Sequence, residues 1–140
     1  MDVDAVMSSP AITATRDSTL ADAVDTMLEH RIGSVVVVAA APVGILTRTD
    51  VLVALRSADD PPLSSISVET AMSSPPVTIA PSSAIETAVR LMAEHEIKRL
   101  PVMDELQLVG IVTMTDLATH LPERVQEVRA AIERTNRWGD

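Results

Sequence analysis

The sequence predicts a mixed α/β (α+β) fold in which two β-α-β-β-α lobes pack with pseudo-twofold symmetry and a C-terminal helix follows. Two observations support this prediction. The chain repeats itself, because Met-Ser-Ser-Pro at residues 7–10 returns at residues 72–75. Within each repeat, apolar residues at helical spacing are followed by two β-branched runs. A lobe of about 50 residues buries too little apolar surface to be stable alone, so we expect the lobes to pack together.

The register of the repeat is maintained over a whole helix. An offset of 65 residues pairs Leu20 with Ile85, and after one inserted residue the offset is 66. At that second offset, residues 44–50 match residues 110–116. A one-residue insertion is tolerated best in a turn, which is where this one falls.

Each repeat opens with an extended piece, at residues 12–15 and 77–80, and then enters a helix. Both helix starts show the spacing of a capping box, with an acid three residues after a hydroxyl. The pairs are Thr19 with Asp22 and Ser83 with Glu86. We interpret the apolar stripes that follow as core. They comprise Leu20, Ala23, Val24, Met27 and Leu28 in the first repeat and Ile85, Ala88, Val89 and Met92 in the second.

Two β-branched runs then predict an antiparallel hairpin in each repeat. The runs are residues 35–38 with 43–46, and residues 100–103 with 108–112. A second helix is expected to begin at Arg48 or Met114 and to end near Ser57 or His120. The predicted organisation is a first domain at 7–57, a linker at 58–71, a second domain at 72–121, and an amphipathic C-terminal helix and tail at 122–140.

Composition excludes several classes of function. The net charge is −9, so non-specific binding to nucleic acid is not expected. The chain has no cysteine, which excludes disulfides and thiolate chemistry and favours a cytoplasmic protein. The longest apolar run, residues 35–46, is too short to span a membrane. A carboxylate-rich surface with one lysine, Lys98, is typical of halophilic proteins, although high-GC codon bias also replaces Lys by Arg.

Both repeats carry the motif Gly-φ-φ-Thr-x-x-Asp, where φ is apolar. A strand that ends in Thr and passes into a helix places its hydroxyl, the first-turn amides and the carboxylate at one end of the lobe. A carboxylate accepts hydrogen bonds from both hydroxyls of a diol, and the hydroxyl and amides suit a phosphate. The alternative is that Asp50 and Asp116 only cap their helices while Thr47 and Thr113 satisfy the strand ends.

Taken together, these features resemble the cystathionine β-synthase (CBS) domain family, and specifically a stand-alone tandem pair, or Bateman module. The resemblance covers residues 7–57 and 72–121. It rests on the two Met-Ser-x-Pro segments, the helices with Met27 and Met92, the run at residues 97–104 and the two Thr-x-x-Asp motifs. It implies clefts that bind AMP, ADP, ATP or S-adenosylmethionine, no catalytic cofactor, a homodimer, and a regulated partner protein that the sequence does not identify.

The resemblance also implies site residues, with Asp50 and Asp116 on the ribose, and Thr47 and Thr113 on the phosphate side. It places the base between the backbone of residues 77–80 and apolar side chains. The cleft of the second repeat is expected to use Val77, Thr78, Ile79, Lys98, Arg99, Leu100, Pro101, Ile111, Thr113, Thr115 and Asp116. The cleft of the first repeat is expected to use Ile12, Thr13, Gly33, Ser34, Val35, Thr47, Thr49 and Asp50.

The two clefts are not expected to be equivalent. Lys98 and Arg99 match Gly33 and Ser34 of the first repeat, which bring no charge. Since a guanidinium forks two hydrogen bonds to phosphate, we expect the second cleft to bind the phosphorylated nucleotide. The first cleft would then be weaker, empty or suited to a less charged adenosyl ligand. The alternative for Arg99 is a surface ion pair with an acid such as Glu94, Glu96 or Asp104.

Metal binding and catalysis are not predicted. His30 and His95 occupy equivalent helix ends, where a cation is favourable whatever the function, and His120 is expected near the end of another helix. The sequence contains no Gly-rich phosphate loop, Ser-His-Asp order or His-Glu-x-x-His motif. The sequence therefore favours a binding module that senses an adenine nucleotide. Its rival is a structural or protein-interaction module whose clefts are unoccupied.

Overall fold

The computed structural model describes residues 1–57 and 62–120, together with residues 126, 129 and 130. The described chain contains five strands and five α-helices. They are β1 (Thr13–Thr15), α1 (Leu20–His30), β2 (Ser34–Val38), β3 (Pro42–Thr47), α2 (Arg48–Ser57), α3 (Val68–Ala71), α4 (Ile85–His95), β4 (Arg99–Asp104), β5 (Gln107–Thr113) and α5 (Met114–His120). Short 3₁₀ helices occur at Val3–Ala5 and Leu63–Ser65. Among the described residues, no helix has the length and apolar character needed to cross a membrane.

The chain divides into two compact units. Among the described residues, the first-repeat unit lies within Ile12–Pro76, and the second-repeat unit joins Met1–Ala11 to the residues that follow Pro76. The predicted hairpins are confirmed, because β2 pairs antiparallel with β3 and β4 pairs antiparallel with β5. The second helices are confirmed as well, since β3 runs directly into α2 and β5 directly into α5. The mixed α/β class predicted from the repeats is therefore the observed class.

The first-repeat unit contains a three-stranded sheet in the order β1-β2-β3. Strand β1 pairs parallel with β2, and β2 pairs antiparallel with β3, with Ser34 opposite Thr47. Helices α1 and α3 pack on this sheet. The buried core comprises Leu20, Ala23, Met27, Val35, Val37, Leu46, Val51 and Val68.

The second-repeat unit contains the antiparallel pair β4-β5, with Arg99 opposite Thr113. The extended piece predicted at residues 77–80 is reduced to a single parallel bridge between Ile79 and Val102. The buried core comprises Val3, Val6, Ile79, Ile85, Ala88, Val89, Met92, Leu100, Val102, Val112, Met114 and Leu117.

One of the two predicted capping boxes is present. The Asp22 N–H donates to Thr19 Oγ1 (3.1 Å), and the Thr19 N–H donates to Asp22 Oδ2 (3.2 Å). The box predicted at Ser83 is wrong, because α4 begins one residue later with Ala84 as its N-cap. In the repeat register Thr19 corresponds to Ala84, which has no hydroxyl. The chain start compensates in part, since the Ile85 N–H donates to the carbonyl of Met1 (3.2 Å).

The leading Met-Ser-Ser-Pro segments pack in a way that the repeats did not predict. Ser8 forms a bridge with Ile111 in the second-repeat unit, and Ser73 forms the corresponding bridge with Ile45 in the first-repeat unit. Each segment therefore packs in the unit that contains the other copy of the repeat. The outer edges of β3 and β5 carry backbone N–H and carbonyl groups that need hydrogen-bond partners. The two bridges provide these partners at Ile45 and Ile111, which explains the placement.

The region predicted as a linker, residues 58–71, contains regular structure where it is described. Residues 63–65 and helix α3 are helical, and Val68 is fully buried in the core of the first-repeat unit. The predicted C-terminal helix at 122–140 lies outside the described residues apart from residues 126, 129 and 130, which are helical and exposed.

A local hydrogen bond near β1 leads to a first testable prediction. The Thr15 hydroxyl donates to Asp17 Oδ1 (2.7 Å), and this bond, with one from the Asp17 backbone, lowers the pKa of the Asp17 carboxyl. A lowered native pKa contributes stability above the unfolded pKa and loses it as the pH falls through the native pKa. We therefore expect Thr15→Val to raise the Asp17 pKa in an NMR titration. An unchanged pKa would show that the hydrogen bond is not its cause.

Candidate functional site

The first candidate site lies where β3 ends and α2 begins. Thr47 is the last residue of β3, and its N–H donates to Asp50 Oδ2 (2.9 Å). The Asp50 N–H in turn donates to Thr47 Oγ1 (3.1 Å). Both side chains are half-buried. The Thr-x-x-Asp motif thus forms a reciprocal capping box that holds the carboxylate at the strand end.

The second candidate site has the same construction at the junction of β5 and α5. The Thr113 N–H donates to Asp116 Oδ2 (2.8 Å), and the Asp116 N–H donates to Thr113 Oγ1 (3.2 Å). The Thr113 hydroxyl also lies 3.1 Å from Asp116 Oδ2. The alternative drawn from the sequence, in which these acids cap their helices, therefore describes the local geometry correctly at both sites.

A serine hydroxyl reaches each carboxylate from the Met-Ser-Ser-Pro segments. Ser73 Oγ donates to Asp50 Oδ1 (3.2 Å), and Ser8 Oγ donates to Asp116 Oδ1 (3.2 Å). Backbone pairing positions both serines. Ser8 and Ile111 exchange two backbone hydrogen bonds of 2.8 and 2.9 Å, and Ser73 and Ile45 exchange two of 2.9 and 3.0 Å. Sequence reasoning missed both serines as site residues, although they belong to the motif that revealed the repeat.

This geometry defines what each carboxylate can bind. An ionised carboxylate has about four lone-pair positions, so the capping N–H and the serine hydroxyl do not by themselves saturate it. A ribose diol placed here would share Oδ1 with the serine hydroxyl or displace it. The cap holds the carboxylate in one orientation, which is the preorganisation that a small-molecule site needs.

Strand register places the predicted cations of the second repeat beside its motif. Arg99 lies opposite Thr113 in the hairpin and is half-buried. The carbonyl of Lys98 accepts a hydrogen bond from the Met114 N–H (2.8 Å), which joins the start of β4 to the start of α5. Lys98, Arg99, Thr113 and Asp116 therefore lie at one end of the hairpin.

The first site contains a cation that the sequence analysis did not identify. Gly33 and Ser34 lie at the start of β2, but the Arg48 side chain crosses over Gly33. A Cβ built on Gly33 would lie 3.0 Å from both Nε and Nη2 of Arg48. The comparison of the two repeats considered only Gly33 and Ser34 at this place and so overlooked the charge that Arg48 brings there. The signal was available, since Arg48 aligns with Met114 in the repeat.

The residues predicted to surround the base are partly committed to the fold. The Ile79 N–H donates to the Pro101 carbonyl (3.1 Å), and the Ile79 carbonyl accepts from the Met103 N–H (2.8 Å). The Ile79 N–H is therefore not available to donate to a base while this pairing is intact. Pro101 lies opposite Ile111 in the β4-β5 pair. In the first-repeat unit, the Ile12 carbonyl accepts from the Val36 N–H (3.1 Å), and Thr13 lies exposed on β1.

The remaining predicted site residues differ in how they could contact a ligand. The side chains of Val35 and Leu100 are fully buried in their cores, which restricts them to backbone contacts. Thr49 and Thr115 lie in the first turns of α2 and α5, respectively. In the described chain, no three residues among His, Cys, Asp and Glu are grouped so that they could hold a metal ion.

Comparison with known proteins agrees with this architecture. The family model described as CBS domain matches residues 3–57 and 66–123. The chain is 35% identical over 115 residues to the CBS domain-containing protein YhcV of Bacillus subtilis, covering 81% of each chain. It is 34% identical over 135 residues to hypoxic response protein 1 of Mycobacterium tuberculosis, covering 89% of this chain and 90% of that protein.

A solved structure has a similar fold. The CBS domain pair of protein MJ0100, in complex with 5′-methylthioadenosine and S-adenosyl-L-methionine, superposes with a TM-score of 0.79. The match covers 89% of this chain and 98% of that chain, at 24% identity. Two family-model matches in one chain, each covering one of the two sequence repeats, show that the protein belongs to the CBS domain family and contains two CBS domains in tandem.

Proposed function

We propose that the protein is a regulatory ligand-binding module that senses an adenine nucleotide or another adenosyl ligand and signals its occupancy to a partner protein. The observation that carries this proposal is the duplicated site. In each copy, a capping box holds an Asp carboxylate and a serine hydroxyl reaches its Oδ1. Each copy also has an arginine at the start of its hairpin, where the Arg48 side chain lies over Gly33 and Arg99 is the register partner of Thr113. Two such sites formed by one repeated motif favour a receptor over a chance arrangement of helix caps.

The chemistry of this arrangement suits a nucleotide. Asp50 and Asp116 would accept the ribose hydroxyls, while Arg48 or Arg99 would pair with a phosphate. The candidate ligands are AMP, ADP, ATP and S-adenosylmethionine. The MJ0100 domain pair, which shares the fold, was solved with two adenosyl compounds bound. We propose binding without turnover, and with no catalytic cofactor.

Sensing requires more than binding. A ligand shifts a conformational equilibrium only when it binds one state more tightly than the other. We therefore propose that the state of this protein that binds its partner has a different affinity for the ligand from the other state. We also propose that the protein is a homodimer and is cytoplasmic. We do not propose nucleic acid or a membrane as a binding partner.

Isothermal titration with AMP, ADP, ATP and S-adenosylmethionine, in high and low salt, tests the proposal. We expect micromolar binding, about −8 kcal/mol, of at least one ligand. Asp116→Asn or Asp50→Asn should remove binding at the corresponding site, because an amide offers one acceptor oxygen where the carboxylate offers two.

The matched control is Asp22→Asn. Asp22 forms the same Thr-x-x-Asp capping box at the start of α1 but is in neither site. It should therefore lower the stability as the site variants do, by about 1 kcal/mol, and leave affinity unchanged. Equal loss of affinity in all three variants, or no binding of any ligand to the wild-type protein, would refute the sensor. Nucleotide turnover abolished by Asp116→Ala would instead make the protein an enzyme.

A second candidate function is a protein-interaction module with unoccupied clefts. The observation that favours it is the apolar surface of α2, where Leu52, Val53 and Leu55 are 58%, 43% and 43% exposed. Thermal unfolding separates the two candidates. A ligand at about 100 times its dissociation constant adds about 2.7 kcal/mol to the stability of a binding module and adds nothing to a module with unused clefts.

A further inference from the structure

The two repeats place their cations at exchanged positions. In the first repeat the strand start is Gly33 and the helix start is Arg48, whereas the matching residues of the second repeat are Lys98 and Met114. The backbone contact between the two positions is the same in both units. The Arg48 N–H donates to the Gly33 carbonyl (3.1 Å), as the Met114 N–H does to that of Lys98 (2.8 Å).

Gly33 provides space for the Arg48 side chain. Its φ lies outside the left-handed region, so the backbone conformation does not require a glycine there. The Arg48 guanidinium occupies the space where a side chain of residue 33 would project, with Cζ at 3.2 Å from the position of a Cβ. In the second-repeat unit, Lys98 has a side chain at that place, and Met114 is directed into the core with 6% exposure.

We infer that Arg48 is the specificity-determining residue of the first site and selects a phosphorylated nucleoside over its neutral nucleoside. This inference rests on the proposed function. The guanidinium lies at the start of β2, beside Ser34, whose register partner is Thr47 of the capping box. A planar guanidinium forms two parallel hydrogen bonds with a phosphate, which a neutral 5′-hydroxyl cannot match.

The inference reverses the preference expected from the sequence. Gly33 and Ser34 alone indicated a cleft that is weaker, empty or suited to a less charged ligand, but Arg48 supplies a positive charge in a protein with a net charge of −9. A cation in such a surrounding offsets the repulsion between carboxylates and a ligand phosphate. S-adenosylmethionine would be disfavoured at this site, because its sulfonium cation would be repelled by the Arg48 guanidinium.

NMR titration of ¹⁵N-labelled protein resolves the two sites in one sample. The amides of Gly33 and Thr47 report the first site, and those of Lys98 and Thr113 report the second. The probes are AMP, adenosine and inorganic phosphate. In Arg48→Met, which introduces the residue of the second repeat, the dissociation constant of AMP at the first site should rise about tenfold, while adenosine changes less than about twofold.

Three further variants sharpen the test. Arg56→Met removes an exposed arginine from the last turn of the same helix and should change neither constant. Arg48→Lys should recover part of the AMP affinity. Gly33→Ala keeps the charge but forces the guanidinium to move, because a Cβ would lie 3.0 Å from two of its nitrogens, and should weaken AMP alone.

Each outcome decides the inference. Loss of AMP affinity at the first site with adenosine unchanged supports it. Equal weakening of both ligands, no change in either, or inorganic phosphate binding as tightly as AMP would overturn it while leaving nucleotide sensing intact. If no adenosyl compound shifts the amides of either site in the wild-type protein, the proposed function fails and the inference fails with it.

Discussion

Replacing Gly110 by alanine should destabilise the protein by about 1 to 3 kcal/mol, the usual cost of overpacking. A Cβ at this position would lie 2.7 Å from the Ser8 carbonyl oxygen and 2.8 Å from Met7 Sδ. The methionine can move, but the carbonyl belongs to the backbone pair between Ser8 and Ile111. The added methyl group must therefore separate the leading segment from β5, and with it the Ser8 hydroxyl from Asp116.

The equivalent change in the first repeat should behave alike. At Gly44 a Cβ would lie 2.6 Å from Met72 Sδ and 2.9 Å from the Ser73 carbonyl oxygen. Gly33→Ala is the control, because its contacts are with the flexible end of Arg48. Urea unfolding measures all three variants. If Gly110→Ala is as stable as the wild type, then the leading segment is not held against β5 as described.

Met27→Ala should lower the free energy of unfolding by about 2 to 5 kcal/mol. Met27 is only 5% exposed and lies in the core of the first-repeat unit, so truncation removes buried apolar surface and leaves a cavity. The adjacent residue provides a matched control on the same helix. Leu28 is 72% exposed, and Leu28→Ala should change the stability by less than about 0.5 kcal/mol.

Chemical denaturation with two independent probes measures both variants. A Leu28→Ala loss as large as that of Met27→Ala would indicate that Leu28 is covered in solution, as it would be in an assembly of chains. The contrast also corrects the sequence analysis, which placed Leu28 in the core stripe. Successive residues of a helix are separated by about 100°, and this rotation takes Leu28 off the face that carries Leu20 and Met27.

Features with local causes were predicted well. The capping box at Thr19 is made within four residues, and helices α2 and α5 begin at the predicted Arg48 and Met114. The hairpins follow from adjacent β-branched runs, for which the short turn determines the pairing. The predictions that failed depended on more than local pattern. The Ser83 capping box, for example, was replaced by backbone pairing between the chain start and residues 83–85.

The features of the candidate sites also separate into those with local causes and those that depend on long-range packing. By itself the sequence determined the repeat, the mixed α/β class, and the Thr-x-x-Asp motifs that hold Asp50 and Asp116, since these depend on residues close together in the chain. Only the tertiary structure decided that Ser8 reaches Asp116, 108 residues away, and that Arg48 lies over Gly33. The physical reason is that a strand edge needs hydrogen-bond partners and a glycine leaves space to be filled, but neither requirement says which residue will meet it. That residue comes from a distant part of the chain, and only the packing of the folded chain brings it there.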